Sequence, residues 1–345
     1  MTERRFLAPE RGFSLIELMV ALAIAMLATL AIFQTFMVFE GQKRTTVSGA
    51  DAQENGLMAL SAIEREVRMA GLGTAALECG TINAYNATRV PPDYVLSTVP
   101  VVVEQDTPAA GSDRVTVFYA DSRYGAIPAT ITSPMPDSSA ILNVNFGLGV
   151  TQGAMLLVSE GTKPCSIVQA SQNGQKTGKD WNLQHNPGYP ANPPGGHNIF
   201  PPGGYGTGAK VSDLGEFINL QFYVANSELM VRDLNRADDA TNPIALIGGV
   251  VAIRAEYGRD TNEDGVIDVW DNAAGITKKQ VLAVRLGIIA RSGQFERDEV
   301  TTAAVPFWPG GPEFDPATVA DAKYFRYKVY NTIVPLRNVL WNSGP

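Results

Sequence analysis

From Leu18 to Phe39 every position is apolar except Thr29, Gln34 and Thr35. At about 1.5 Å of rise per residue, a helix over this run spans the roughly 30 Å hydrocarbon core of a bilayer. The pattern then changes without interruption. No proline falls between Glu10 and Val90, and Leu57, Leu60, Ile63 and Val67 recur every three or four residues, with Glu54, Glu64, Arg65 and Arg68 off that stripe. This predicts one helix from about Ser14 to Met69, apolar all round in its first half and amphipathic in its second, stopped at Gly71 and Gly73.

After the glycines the period shortens to two. "RVTVFYA", "AILNVNF", "AMLLVSE", "FINLQFYVA", "ELMVRDL", "VVAIRAEY", "QVLAVRLGIIA" and "YFRYKVYNTIV" are β-branched or aromatic runs separated by Gly, Pro, Asn and Asp, which is the pattern of short strands. Asn226-Ser227 separates two of them by a hairpin's length. One long helix followed by many antiparallel strands makes an α+β fold. Residues 171–210 are dense in Gly, Pro and Asn and hold both histidines, His185 and His197. This stretch reads as a long irregular excursion, either an exposed contact loop or a surface insertion.

Charge and composition narrow the function. The formal charge of −8 does not favour a phosphate backbone, so no nucleic-acid partner is expected. Arg4, Arg5 and Arg11 precede the apolar run, which holds the N-terminus in the cytoplasm and sends everything after Phe39 outward. A cleaved secretory signal fits less well, because small-x-small patterns such as Ala21-Leu22-Ala23 lie inside an apolar run that continues well past them. No second span follows. Among Cys79, Cys165 and the two histidines there is no CxxC or HExxH spacing, so zinc is not expected. Outside the cytoplasm Cys79 and Cys165 would form one disulfide closing a long loop, the alternative being two buried thiols. No GxSxG, Walker A or histidine-based constellation is present, and neither an enzyme activity nor a small-molecule substrate is expected.

Two local features carry candidate chemistry. "DTNEDGVIDVWD", Asp260 to Asp271, has the spacing of a calcium loop. Asp260, Asn262 and Asp264 would offer side-chain oxygens, Val266 its carbonyl, Asp268 a direct or water-mediated contact, and Asp271 the closing carboxylate, with Gly265 at the turn. The alternative is an Asp/Asn/Gly turn that caps a hairpin. The second feature is Glu17, a carboxylate at the head of an apolar segment, where an ionisable group is costly and marks a site with a partner.

"RGFSLIELMVALAIA" resembles the N-terminus of a type IV prepilin: a charged leader ending in Gly12, then Phe13, then Glu17 as the fifth residue after the glycine. "VLAVRLGIIARS" and "YFRYKVYNTIVPLRNVLW", with Leu336-Arg337-Asn338, are similar to PilW-type minor pilins. The resemblance implies a pilin-like fold, with residues 1–12 a cytoplasmic leader and 13–39 a transmembrane and filament-core helix. Residues 40–72 would be its amphipathic extension and 73–345 a β-rich head packed on it. It also implies cleavage between Gly12 and Phe13 by a prepilin peptidase, methylation of the Phe13 amino group, and pairing of that cation with Glu17 of a neighbouring subunit. The partners would be other minor and major pilins and the bacterial inner membrane, with the head in the periplasm and later on the pilus or cell surface. A pseudopilin of a type II secretion system and a tip adhesin are the alternatives.

Overall fold

The computed structural model describes residues 12–74, 78–105, 111–121, 127–137, 141–195, 197–236 and 242–340. The leader arginines at 4, 5 and 11 and Trp341 lie outside them. The chain divides into two compact units, residues 1–51 and 52–345, and the helix Leu15–Met69 has residues in both.

In the first unit the helix is apolar on all sides from Leu18 to Phe39, and its large side chains from Phe13 to Phe39 are exposed. Its few hydroxyls are satisfied within the helix: Thr29 Oγ1 donates to the Met26 carbonyl and Thr35 Oγ1 to that of Ala31, both at 2.9 Å. Such back-bonding removes the cost of a polar group in an apolar medium.

In the second unit the same helix buries one face, made of Ala52, Gly56, Ala59, Leu60, Ile63 and Val67. Leu57, expected on this face, is instead 48% exposed. The contact centres on Gly56, where an added Cβ would collide with the Tyr330 ring, so the seam follows small residues that admit a large partner. Glu66 anchors the helix, its Oε2 accepting from the Tyr119 hydroxyl at 2.6 Å and its Oε1 from Arg65 Nε at 2.9 Å. Burial and the neighbouring Glu66 carboxylate both push the Tyr119 phenol up. The helix ends after Met69, where Gly71 and Gly73 take positive φ, as the sequence predicts.

Its buried face meets a four-stranded antiparallel sheet of Val250–Arg259, Val269–Asp271, Val281–Arg291 and Tyr327–Pro335. From this sheet Ile253, Val284, Leu286, Ile288 and Val334 share one core with Ile63 and Val67 of the helix. The larger sheet, of 13 strands among the described residues, is organised by Lys210–Ala225. The first half of this strand pairs with Met155–Ser159 and its second half with Arg114–Asp121 and Glu228–Asp233, all antiparallel. Asn226 and Ser227, both at positive φ, make the tight hairpin expected there. The two sheets are latched by Asp113: one carboxylate oxygen accepts from Arg254 Nη1 at 2.6 Å and the other from the Ala255 amide at 2.9 Å. Both side chains are buried, so removing either would cost more than breaking a surface pair.

Residues 171–210 are less irregular than expected. Gln175–Thr177 and Asp180–Leu183 form a hairpin added to Leu142–Val144. Ile199, Phe200 and Tyr205 are buried in the second core beside Ile131, Leu156 and Val211. The glycines and prolines are turns between these anchors. Cys79 and Cys165 form a disulfide with Cα atoms 5.5 Å apart.

The Leu336-Arg337-Asn338 tripeptide closes the head. Leu336 is fully buried in the helix-facing core, and Asn338 Nδ2 donates to the carbonyls of Met69 and Ala70 at 3.2 and 3.1 Å, satisfying orphan acceptors at the helix end. Leu336→Ala is therefore expected to cost about 2–5 kcal/mol as a core truncation, and Asn338→Ala about 1 kcal/mol as a lost capping contact. Equilibrium denaturation of both variants checks the order; equal costs would mean that the tripeptide does not act through these contacts.

Candidate assembly site

Gly12 and Phe13 precede the helix in extended chain, with Phe13 88% exposed and nothing within 4 Å of where a Gly12 Cβ would stand. Ser14 is the residue before the first helical turn. The Glu17 amide donates to Ser14 Oγ at 3.2 Å, and the Ser14 amide donates to Glu17 Oε2 at 2.9 Å. This reciprocal pair is a capping box, which satisfies two of the amides that any helix start leaves without an intrahelical acceptor. Its signal in the sequence is the S-x-x-E spacing of Ser14 and Glu17, which the expectation of a partner in another subunit does not use. Oε2 faces Ser14, and Glu17 sits in the first turn where the helix dipole also favours negative charge.

The helix Leu15–Met69 holds a window of mean hydropathy 2.5 with none of it buried. It is long and apolar enough, by length and composition, to cross a membrane.

The Asp260–Asp271 loop is a connection between two paired strands, Val250–Arg259 and Val269–Asp271. Asp260 accepts from the amides of Asp264 and Gly265, at 3.2 and 2.6 Å. Asn262 accepts from the Asp264 amide at 3.1 Å, and Asp264 from the Val266 amide at 2.8 Å. Asp268 accepts from both the amide and the hydroxyl of Thr261, at 2.7 and 2.6 Å. Asp271 does not join them. It pairs with Arg259 through Nε at 2.5 Å and Nη2 at 2.6 Å, and that guanidinium holds its carboxyl below the usual carboxylate range. The returning strand sets Asp271 opposite Tyr257 in the ladder, where it meets Arg259 rather than the loop. Among the described residues no group of three or more His, Cys, Asp or Glu is placed to hold a metal ion.

Comparison with known proteins agrees with both ends of the chain. Residues 7–33 match the prokaryotic N-terminal methylation motif, and residues 221–338 match the family described as type IV pilus-assembly protein W. The second match takes in the four-stranded sheet, the Asp260–Asp271 loop and the closing tripeptide. No curated protein matches the chain. A type IV-like pilin from Thermus thermophilus aligns over 83% of this chain and 97% of its own, at 11% identity and a TM-score of 0.34, a likeness too distant to bear weight. The chain is thus similar to prepilins at its methylation motif, residues 7–33, and to the type IV pilus-assembly protein W family over residues 221–338, which holds the C-terminal sheet.

Proposed function

We propose that the chain is a minor pilin that helps to start pilus assembly, and that its work is binding rather than catalysis. The observation that carries this reading is a methylation motif running directly into an apolar helix with Glu17 in its first turn, in a chain whose C-terminal part is of PilW type. Cleavage after Gly12 would give Phe13 an α-ammonium. Within a bundle of such helices, Glu17 of one subunit would exchange the Ser14 amide for the ammonium of another, so that neither charge is left unpaired in an apolar medium. The prepilin peptidase is then a processing partner, other pilins the assembly partners, and the head lies outside the inner membrane. The length of the head favours a low-copy or tip position over a densely repeated shaft.

Sheared surface pili from a deletion strain complemented with variants test this. Glu17→Ala is expected to fail to restore pili. Ser14→Ala, which keeps the carboxylate and weakens the helix start by only about 0.5–2 kcal/mol, is expected to restore them. Equal failure of both would assign Glu17 to capping alone. Normal pili in the deletion strain, with protein secretion lost, would move the chain to a type II pseudopilus.

Calcium binding by the Asp260–Asp271 loop is a separate proposal. It rests on five oxygen donors in the expected spacing, at Asp260, Asn262, Asp264, Val266 and Asp268, and it requires Asp271 to give up Arg259. Melting temperature should then rise with added calcium and fall back with chelator; no change in either direction removes the ion from the account.

A further inference from the structure

On the larger sheet, away from the helix-facing core, lies a cavity of about 690 Å3, within the size range of small-ligand sites. It forms where the strand Lys210–Ala225 changes partners. The register slips against Met155–Ser159 between Asp213 and Gly215, and against Arg114–Asp121 between Gly215 and Glu216. Gly215, at φ +61°, is the pivot. The two bulges bring Asp213 and Glu216 to the cavity wall, with Asp121 opposite Glu216 in the ladder.

The polar groups of this wall are asymmetric. Its amide donors are directed into the protein: Asn86 Nδ2 donates to the Asn235 carbonyl, Asn235 Nδ2 to that of Phe217, Gln169 Nε2 to that of Gly153, and Gln152 Nε2 to the Tyr189 hydroxyl. Its acceptors are left over. Gln169 Oε1 is buried without a hydrogen-bond partner. Asp213 is 6% exposed and has one carboxylate oxygen held by the Gly215 amide at 2.8 Å, with no other donor to it among the described residues. Burial pushes its carboxyl up, which marks a charge lacking compensation. Among the described residues no lysine or arginine lines the cavity. Arg89 stands over the Tyr94 ring, 4.2 Å from its centroid, and donates to the Leu234 carbonyl.

A ligand for such a wall must donate without needing to accept. A saccharide hydroxyl both donates and accepts, whereas an ammonium has three donors, no acceptor and the charge complementary to Asp213 and Glu216. A bare metal ion fits poorly, since no three carboxylates among the described residues converge on one point. We propose that this cavity binds an alkylammonium group, held by Asp213 and Glu216. The source is either a free polyamine or a lysine side chain of a protein partner.

Calorimetry on the full chain in phosphatidylcholine nanodiscs tests this with spermidine, with acetyl-Gly-Lys-Gly-amide, with the same peptide acetylated on its lysine, and with maltotriose. The two ammonium probes are expected to compete, and Glu216→Gln and Asp213→Asn to weaken them by about tenfold or more. Spermidine binding alone would identify a free amine, and tighter binding of the lysine peptide a protein partner. Asp213→Asn removes an uncompensated buried charge, so its melting temperature at neutral pH should be unchanged or higher. Equal binding of the acetylated peptide, binding of maltotriose alone, binding indifferent to both substitutions, or no binding by any probe overturns the proposal.

Discussion

The constraint on which the structure depends is that one helix carries two kinds of surface. From Leu15 to Phe39 it has no polar face to turn to water, and its threonines bond to their own backbone. From Ala52 to Met69 it is an ordinary amphipathic element, with Ala59, Leu60, Ile63 and Val67 in the core and Arg65 and Arg68 outside. Nothing breaks the backbone between these regimes, so continuity has to be secured at the ends. Ser14 and Glu17 satisfy the first amides, and Asn338 satisfies carbonyls at the last turn. The second of these contacts spans nearly the whole sequence and ties the C-terminal PilW-type segment to the helix that follows the methylation motif.

Much of this was legible because periodicity is a local signal. The helix is predicted within one residue at its start and at Met69 at its end, and the strands Arg114–Asp121, Val250–Arg259 and Val281–Arg291 agree closely with their apolar runs. The buried face of the helix departs from the expectation at Leu57 because hydrophobic periodicity weights large residues. The actual seam is set by Gly56, whose missing side chain makes room for Tyr330, a residue brought there by the sheet. Short or polar strands such as Gln175–Thr177 and Asp180–Leu183 had no apolar period to announce them; they exist because Leu142–Val144 offers an edge.

The assembly site and the loop were legible to different depths. A charged residue in an apolar helix is conspicuous in any sequence, and so was Glu17, yet its bond to Ser14 was visible only to a search for capping motifs. The calcium-loop spacing falls on a turn in which Asp260, Asn262, Asp264 and Asp268 each accept from a backbone amide, with no group among the described residues placed to hold a metal ion. Spacing alone assumes that the chain curls back at the twelfth position. Here a strand carries that position away, and Arg259, just before the loop, takes its carboxylate.

The ammonium cavity had no sequence signal at all. Asp121, Gln169 and Asp213 are dispersed along the chain, and only the pairing of Arg114–Asp121, Met155–Ser159 and Cys165–Gln169 around Lys210–Ala225 assembles them. The bulged strand explains why such a wall can exist in a sheet. A regular strand crossing from one partner to another would keep Asp213 in alternation with buried neighbours, and its charge would be enclosed. Slipping the register on both sides of Gly215 lets Leu214 stay in the core while Asp213 reaches the cavity. The ladder bonds lost at the bulge and the cost of a poorly solvated carboxylate are both borne by the folded chain. Neither is needed to seat the helix or close the head, which is the physical reason to look for a ligand there rather than for a structural role.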